Sequence, residues 1–350
     1  MKTNLFSLIP VLCFALSLTS TAQTQVDAFV PGSTLEGVCY YLPRTAFRVT
    51  VIAERTTVRP GDFYMYADRF LRLQNVPTEE SVQWSLKSIT LEPFGKPDRD
   101  KAYSIKLKSK TVAPLVGLSR DGILLSINTD ADESFLPELP KPQQGERPEN
   151  PRSYMTQEIL AAGSKAKMAE LCAQEIYDIR ESKNALVRGE ADNTPKDGAQ
   201  LKLMLDQLDH QAAVLESLFC GTTQTDTEVF SFFYDPVQET ERDVLFRFSE
   251  HYGVVDADDL SGDPYYMAVE DLKSMPERIV EPGKKAPKDE TGIWIALPGK
   301  VRVSLENMEA KMSTLEFSAA QFGEVENLNA PLFSKKVETR LVLNPYNGGI

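Results

Sequence analysis

Gly37-Val38-Cys39-Tyr40-Tyr41-Leu42-Pro43, early in the chain, is echoed by Gly292-Ile293-Trp294-Ile295-Ala296-Leu297-Pro298 near its end. After a one-residue gap, Phe47-Arg48-Val49-Thr50-Val51 lines up with Val301-Arg302-Val303-Ser304-Leu305. Further on, Ala67, Phe70, Leu73, Asn75 and Val76 match Ala319, Phe322, Val325, Asn327 and Leu328. At the same offset Leu91-Glu92-Pro93-Phe94 matches Leu343-Asn344-Pro345-Tyr346. Internal similarity of this kind predicts two related modules flanking everything else. The matched positions are mostly apolar, proline, glycine or asparagine, the residues that set strands and turns, so the echo speaks of architecture more than of chemistry.

Outward from the first copy, the pattern is β. Phe47, Val49 and Val51 alternate with Arg48, Thr50 and Ile52, and Tyr103, Ile105 and Leu107 alternate with Ser104, Lys106 and Lys108. Asp121-Gly122 supplies a hairpin turn before Ile123 to Ile127. Pro60-Gly61-Asp62 breaks the run, and Phe63 to Leu73 reads as a short helix or an irregular turn. Pro137, Pro140, Pro142, Pro148 and Pro151 then mark an extended linker and a domain boundary.

Two helical seams follow. Ile159, Ala162, Ala166, Ala169, Ala173 and Ile176 recur at three- and four-residue steps, and so do Leu201, Leu205, Leu208, Ala212, Leu215 and Phe219. Gly189 can end the first helix, and Thr194-Pro195-Lys196-Asp197 supplies an N-cap, a proline at the first helical position and an early carboxylate for the second. The expected result is an antiparallel helical hairpin with Arg188 facing Lys196. That register sets Cys172 opposite Ala212 and Cys220 opposite Ser164, about 12 Å apart along the axis and too far for a disulfide. Strands resume with Phe230, Phe232 and Tyr234, then Val244, Phe246 and Phe248.

The expected fold is mainly β with an α-helical hairpin: two β-sandwich-like modules, related by internal duplication, flanking a long antiparallel helix pair. The expected divisions are a signal peptide at 1–22, an N-terminal β module at 23–135, a Pro-rich linker at 136–151, the hairpin at 152–222 and a C-terminal β module at 223–350.

Met1-Lys2-Thr3-Asn4, an apolar run from Leu5 to Leu18 and Thr19-Ser20-Thr21-Ala22 read as a secretory signal cut after Ala22. The apolar run is shorter than a membrane span and carries Pro10. Cys13 lies inside that run after Val11-Leu12, which does not fit lipidation. The expected location is therefore periplasmic or extracellular, without a transmembrane segment. Loss of the signal removes only Lys2 from the charged set, so 38 basic residues become 37 against 51 acidic, a net of −14. Such a balance argues against nucleic acid. Cys39, Cys172 and Cys220 remain, and a chain of this length builds its core without a disulfide framework.

No nucleophile elbow, phosphate loop, zinc helix or paired-cysteine knuckle occurs. His210 lies off the packed seam and His251 at a strand end, both read as surface histidines. Asp256, Asp258, Asp259 and Asp263, in the run Asp256-Ala257-Asp258-Asp259-Leu260-Ser261-Gly262-Asp263, are the candidate metal ligands. Clustered carboxylates on a turn suit Ca²⁺. The run departs from EF-hand spacing, with Leu260 at a ligand position and the glycine one place late, and a solvated acidic loop is the competing reading. No other cofactor is expected. Tyr40-Tyr41, Phe63-Tyr64-Met65-Tyr66, Phe232-Phe233-Tyr234 and Tyr265-Tyr266 could stack on sugars or simply fill strands. Asp62, Tyr66, Asp68 and Arg69 bring acid and base together without a spacing that makes a site.

Tyr40-Tyr41-Leu42-Pro43, Leu201-Lys202-Leu203-Met204-Leu205-Asp206, Ala320-Gln321-Phe322-Gly323 and Asn344-Pro345 together resemble domain-of-unknown-function family 4831, secreted proteins of Bacteroidetes. The resemblance covers nearly the whole mature chain and implies a Gram-negative envelope or secreted setting, with no catalytic motif to carry over. The expected function is a noncatalytic envelope or secreted binding or scaffolding protein, with a protein partner or a second copy docking on the hairpin. One alternative is a glycan or small-ligand binder using aromatic platforms. The other is a hydrolase whose carboxylates meet only in the fold.

Overall fold

The computed structural model describes residues 25–28, 37–106, 115–131, 136–192, 195, 197–276, 292–328 and 340–350. The expected signal at 1–22, the alternation past Lys106, and Thr194 and Lys196 lie outside the described residues. The chain forms β1 (Gln25–Ala28), β2 (Val38–Arg59), a 3-10 turn (Tyr64–Tyr66), α1 (Ala67–Leu71), β3 (Ser81–Lys106), β4 (Val116–Leu118) and β5 (Leu124–Ile127). Three helices follow: α2 (Gln157–Leu160), α3 (Lys165–Arg188) and α4 (Gly198–Cys220). The remainder is β: β6 (Thr222–Tyr234), β7 (Thr240–Ser249), β8 (Gly253–Val255), β9 (Asp263–Asp271), β10 (Ile293–Glu306), β11 (Lys311–Leu328) and β12 (Leu341–Val342).

These strands make three antiparallel sheets, ordered β1-β3-β2-β6, β11-β10-β9-β7-β8 and β12-β5-β4. Alternate residues of β2 point to opposite faces. Phe47, Val49 and Val51 meet Phe246, Met267, Val269, Val301 and Val303 of the second sheet in one core. A second core gathers Tyr40, Leu42 and Ile105 with Leu124 and Ile127 of the third sheet and Ile293 and Ile295 of β10. Each such side chain, fully buried, contributes about 1.5–3 kcal/mol over leaving it in water. The pairings cross the expected division into an N-terminal and a C-terminal module. β6 runs along β2 from Arg59↔Thr222 to Phe47↔Tyr234, and β12 pairs with β5.

The first arm of the sequence echo falls on comparable strands, since β2 and β10 each open a long antiparallel pair. Both pairs break register beside the Leu-Pro dipeptide, just before Leu42 in β2 and across Pro298 in β10. From Tyr41 to Leu42, β2 advances one residue while β3 advances four, Ala102 to Asp98. From Leu297 to Gly299, β10 advances two while β11 advances five, Glu324 to Ala319. Three extra residues bulge from the return strand each time. The second arm is different: Ala67 and Phe70 lie in and beside the core on α1, whereas Ala319 and Phe322 lie on β11. The connections differ as well, because residues 60–80 carry a helix and 307–310 form a tight turn.

The first helical seam is broken. Ile159 is buried on α2, but Gly163 and Ser164 interrupt the run, Ser164 Oγ capping α3 by accepting from Lys167 N at 3.2 Å. Ala166 is exposed, and the buried stripe of α3 runs from Ala169 through Cys172, Ala173, Ile176 and Ile179 to Leu186. Gly189 ends α3 in the left-handed region at φ 72°, as its sequence position implies. Asp197, expected as an early helical carboxylate, is itself the N-cap of α4, its Oδ1 accepting from Ala199 N at 3.0 Å.

Ion pairs join Arg180 to Glu216 and Lys183 to Asp209 at 2.5 Å. The expected register would have set Met204 and Leu201 at those places, so the observed partners lie twelve and eight residues further along α4. The displacement has a packing cause. Leu215, Leu218 and Phe219 bury against Phe63, Ala67 and Leu71 as well as α3, which draws the end of α4 to the end of β2. Phe63 N donates to Leu218 O at 2.6 Å, and Gly61 passes so close to that carbonyl that no Cβ would fit. Cys220 thereby comes to about the level of Cys172, yet both are free thiols, Cys172 buried and Cys220 exposed.

The Pro-rich segment is extended but packed. Thr227 N donates to Gln143 O at 2.7 Å, Gly145 N to Asp226 Oδ1 at 3.0 Å, and Arg48 Nη2 to Pro137 O at 2.7 Å. It caps the outer edge of β6, an edge that would otherwise offer unpaired backbone.

Candidate functional site

α4 offers its apolar side chains unevenly. Ala212, Leu215, Leu218 and Phe219 are buried, whereas Leu203 is 70% and Met204 41% exposed in the first two turns. Val187, in the last turn of α3, is 63% exposed. Leu201 and Leu205, expected in the seam, are only half-buried. Leu203, Met204 and Val187 are thus apolar side chains that the helix pair leaves exposed.

The acidic loop is organised by an arginine. Arg247 Nε donates to Ala257 O at 2.8 Å and its Nη1 to Gly262 O at 3.1 Å, so a guanidinium occupies the carbonyl-lined centre that a cation would take. Asp259 Oδ1 accepts from Ser261 N at 2.9 Å, and that hydrogen bond, with Arg247 nearby, holds its carboxyl below the usual range. Among the described residues no three His, Cys, Asp or Glu are grouped to hold a metal, Asp256, Asp258, Asp259 and Asp263 included.

The aromatic residues mostly stack on one another. Tyr40, Tyr103 and Trp294 form one column with centroids 5.6 Å apart at both steps. Phe232, Phe246 and Tyr265 form another, at 5.1 and 4.8 Å. Tyr41 lies against Gly122, and Phe63 against Phe219 at 5.5 Å. Phe233, 65% exposed, meets the edge of Phe94, and no continuous exposed strip arises from these clusters. Of the Asp62, Tyr66, Asp68 and Arg69 group, Arg69 lies over the Phe70 ring at 5.2 Å and Tyr66 packs on the helical core.

Both histidines are exposed. His210 belongs to a constellation the sequence does not announce: its Nε2 lies 3.1 Å from Glu149 Oε1 and 3.3 Å from the Tyr154 hydroxyl, which donates to Glu149 Oε2 at 2.6 Å. The Tyr154 hydrogen bond, then His210, lowers the Glu149 carboxyl, and the same bond raises the Tyr154 phenol. The trio ties the end of the Pro-rich segment to α4 at the surface.

Two cavities open in the β body. The smaller, about 230 Å³, is bounded by Glu92, Pro93, Phe94, Pro137, Pro345 and Tyr346, where the Pro-rich segment and the last turn meet β3. Its carboxylate is already committed, since Glu92 Oε2 accepts from Arg48 Nε at 3.0 Å. The larger, about 280 Å³, lies between the first two sheets. It includes Val49 and Val303, positions paired in the echo, so the echo pointed at its walls without revealing a gap between them. Its other walls come from β3, β9 and β11, and pairing between such distant strands leaves no local signal.

Neither curated proteins nor solved structures return a match to the chain. Residues 36–350 match one family, described as Domain of unknown function (DUF4831).

Proposed function

The chain belongs to the DUF4831 family, whose description carries no activity, and we propose from the architecture that it is a noncatalytic binding or scaffolding protein of the cell envelope or exterior. Export is supported by Lys2, the apolar run Leu5 to Leu18 and the small residues up to Ala22. Among the described residues no helix is long and apolar enough to cross a membrane. The carrying observation is the exposed apolar surface of Leu203, Met204 and Val187 on the helix pair. Apolar side chains left exposed in this way favour a protein partner. We read α3 and α4 as an antiparallel hairpin, because the α4 partner number falls as the α3 number rises in the two ion pairs. We also read the two hairpins β2–β3 and β10–β11 as copies of one ancestral unit, supported by a three-residue bulge beside Leu-Pro in each, one position apart in the alignment.

The test is light scattering of the purified protein with cross-linking in envelope extracts, run beside a Leu203→Asp, Met204→Asp variant. A complex formed by the parent chain and lost in the variant, with unchanged circular dichroism, is the expected result. A monomer with no cross-linked protein, or a complex indifferent to both substitutions, refutes the role of this surface.

A further inference from the structure

The larger cavity has an unusual wall. Val49, Ile89, Leu91, Met267, Val303, Leu305 and Leu315 supply aliphatic side chains from five strands, with no charged group and no aromatic ring among them. Strand alternation sets Ile89 and Leu91 on the inner face of β3, opposite Val51 and Val49, and turns the Thr90 side chain away. Ser313 and Leu315 share the inner face of β11, opposite Leu305 and Val303, so the Ser313 hydroxyl is the polar side-chain group on the cavity side. The innermost walls, Val49, Met267 and Val303, are at most 1% exposed, while Leu315 is 43% exposed at the mouth.

The mouth lies between two sheet edges. Among the described residues, β3 pairs on its outer side with β1 only at Tyr103–Lys106, and β11 pairs only with β10. Among the described residues, no strand covers Ile89–Leu91 or Ser313–Leu315 from outside. Backbone N–H and C=O groups at such edges are ready partners for a polar head group. Inside, a cavity with aliphatic walls offers water too few hydrogen bonds to hold it, and apolar cavities of about half this size stay dry and take small hydrocarbons.

We propose that this slot is a binding site for an unbranched aliphatic chain with a polar head, the chain lying between the sheets and the head at the β3 and β11 edges. The volume, about 280 Å³, corresponds to roughly nine groups of water or methylene size at ~30 Å³ each. Flexible walls of Met, Leu, Ile and Val suit a narrow chain better than a flat ring, which a stacking aromatic would favour. The site shares no lining residue with the helix pair, so it stands whether or not that surface binds a protein.

The test is calorimetric titration of the full-length protein with monomeric straight-chain fatty acids of about six to about fourteen carbons, each added methylene being expected to tighten binding ~fourfold until the slot is full. Stoichiometry of one, with a plateau near nine or ten carbons, is expected. Leu315→Trp at the partly exposed mouth and Val303→Phe within should each weaken the best chain at least tenfold, while Val237→Trp, at a 69% exposed site outside the slot, leaves it unchanged. Having one plug at the mouth and one inside keeps the test valid should Val303→Phe fail to fold. The proposal is overturned by the absence of saturable binding at every length, by binding that neither plug disturbs, or by association with phosphatidylcholine vesicles but not with free acids.

Discussion

Replacing Tyr40 by Phe should destabilise the protein far more than the loss of one oxygen suggests. The Tyr40 side chain is fully buried, and its hydroxyl donates to Trp294 O at 3.1 Å while accepting from Trp294 N at 3.0 Å. Among the described residues, β10 bonds to β11 along one edge, but on its other edge β9 reaches only Val301–Glu306. At Trp294 the phenol thus takes the place of a neighbouring strand. Phe keeps the stack on Tyr103 and strands two main-chain groups, each costing about 1–3 kcal/mol when buried and unpaired. Allowing for the hydroxyl that no longer needs desolvating, the expected loss is about 2–4 kcal/mol. Urea unfolding followed by circular dichroism measures it, as a lower midpoint at unchanged slope. Tyr252→Phe, at a 69% exposed site, supplies the baseline, expected within about 0.5 kcal/mol of the parent. A Tyr40→Phe loss inside that baseline refutes the account. A second arm uses pH. Burial pushes the Tyr40 phenol up, against a smaller opposing pull from the Trp294 backbone and with a still smaller push from the neighbouring Tyr103. The folded value lies above the unfolded one near 10, so the unfolded chain loses its proton first. Stability from this group is full below about pH 10 and falls above it, by up to ~1.4 kcal/mol per pH unit. Tyr40→Phe should lose that share of the alkaline slope.

Burial, then Glu175, pushes the Cys172 thiol up to about 12, so in the native protein a maleimide should label exposed Cys220 well before Cys172; equal rates by peptide mass mapping would contradict the packing of α3. Arg48→Met should cost about 2–4 kcal/mol in urea midpoint, because it leaves Glu92 and Pro137 O without their donor under the Pro-rich segment, and a neutral result would show that segment to be unanchored. Gly323→Ala should cost at least about 2 kcal/mol, since a Cβ would fall on Leu297 O inside the bulge, and wild-type stability would disprove that close approach. Arg247→Met should loosen the 256–262 loop, read as faster proteolytic cleavage there, with no change expected if the carbonyls do not depend on the guanidinium.

What the sequence reveals of this fold is what acts locally. Period-two alternation identifies β2, β6 and β7, and the Asp121-Gly122 turn joins β4 to β5 with Gly122 at φ 83°. Helical periodicity finds α3 and α4, but it cannot see the break at Gly163-Ser164, because the apolar rhythm continues across it. The helix register was wrong for a physical reason: it assumed that the two helices answer only to each other, whereas Leu218 and Phe219 also answer to Phe63. The pairing of β6 with β2 across the expected module boundary is equally invisible, since nothing near Thr222 in sequence says that its neighbour will be Arg59. The acidic run was visible, but the guanidinium at its centre comes from β7, and the apolar slot is assembled from five strands and has no single signature.

The junction where α4 ends against β2 has a kinetic meaning. β2 must remain without its β6 neighbour until more than 160 further residues have been made, a separation that slows folding and leaves an unsatisfied edge meanwhile. The helices between them form from nearby contacts, on a much faster timescale. Once Leu218 O has received Phe63 N, Gly221 sits against Arg59 and the first rung, Arg59↔Thr222, is in place. The remaining rungs can then close in sequence from a fixed starting point, and a one-residue slip that would turn every β6 side chain to the wrong face is blocked at the outset.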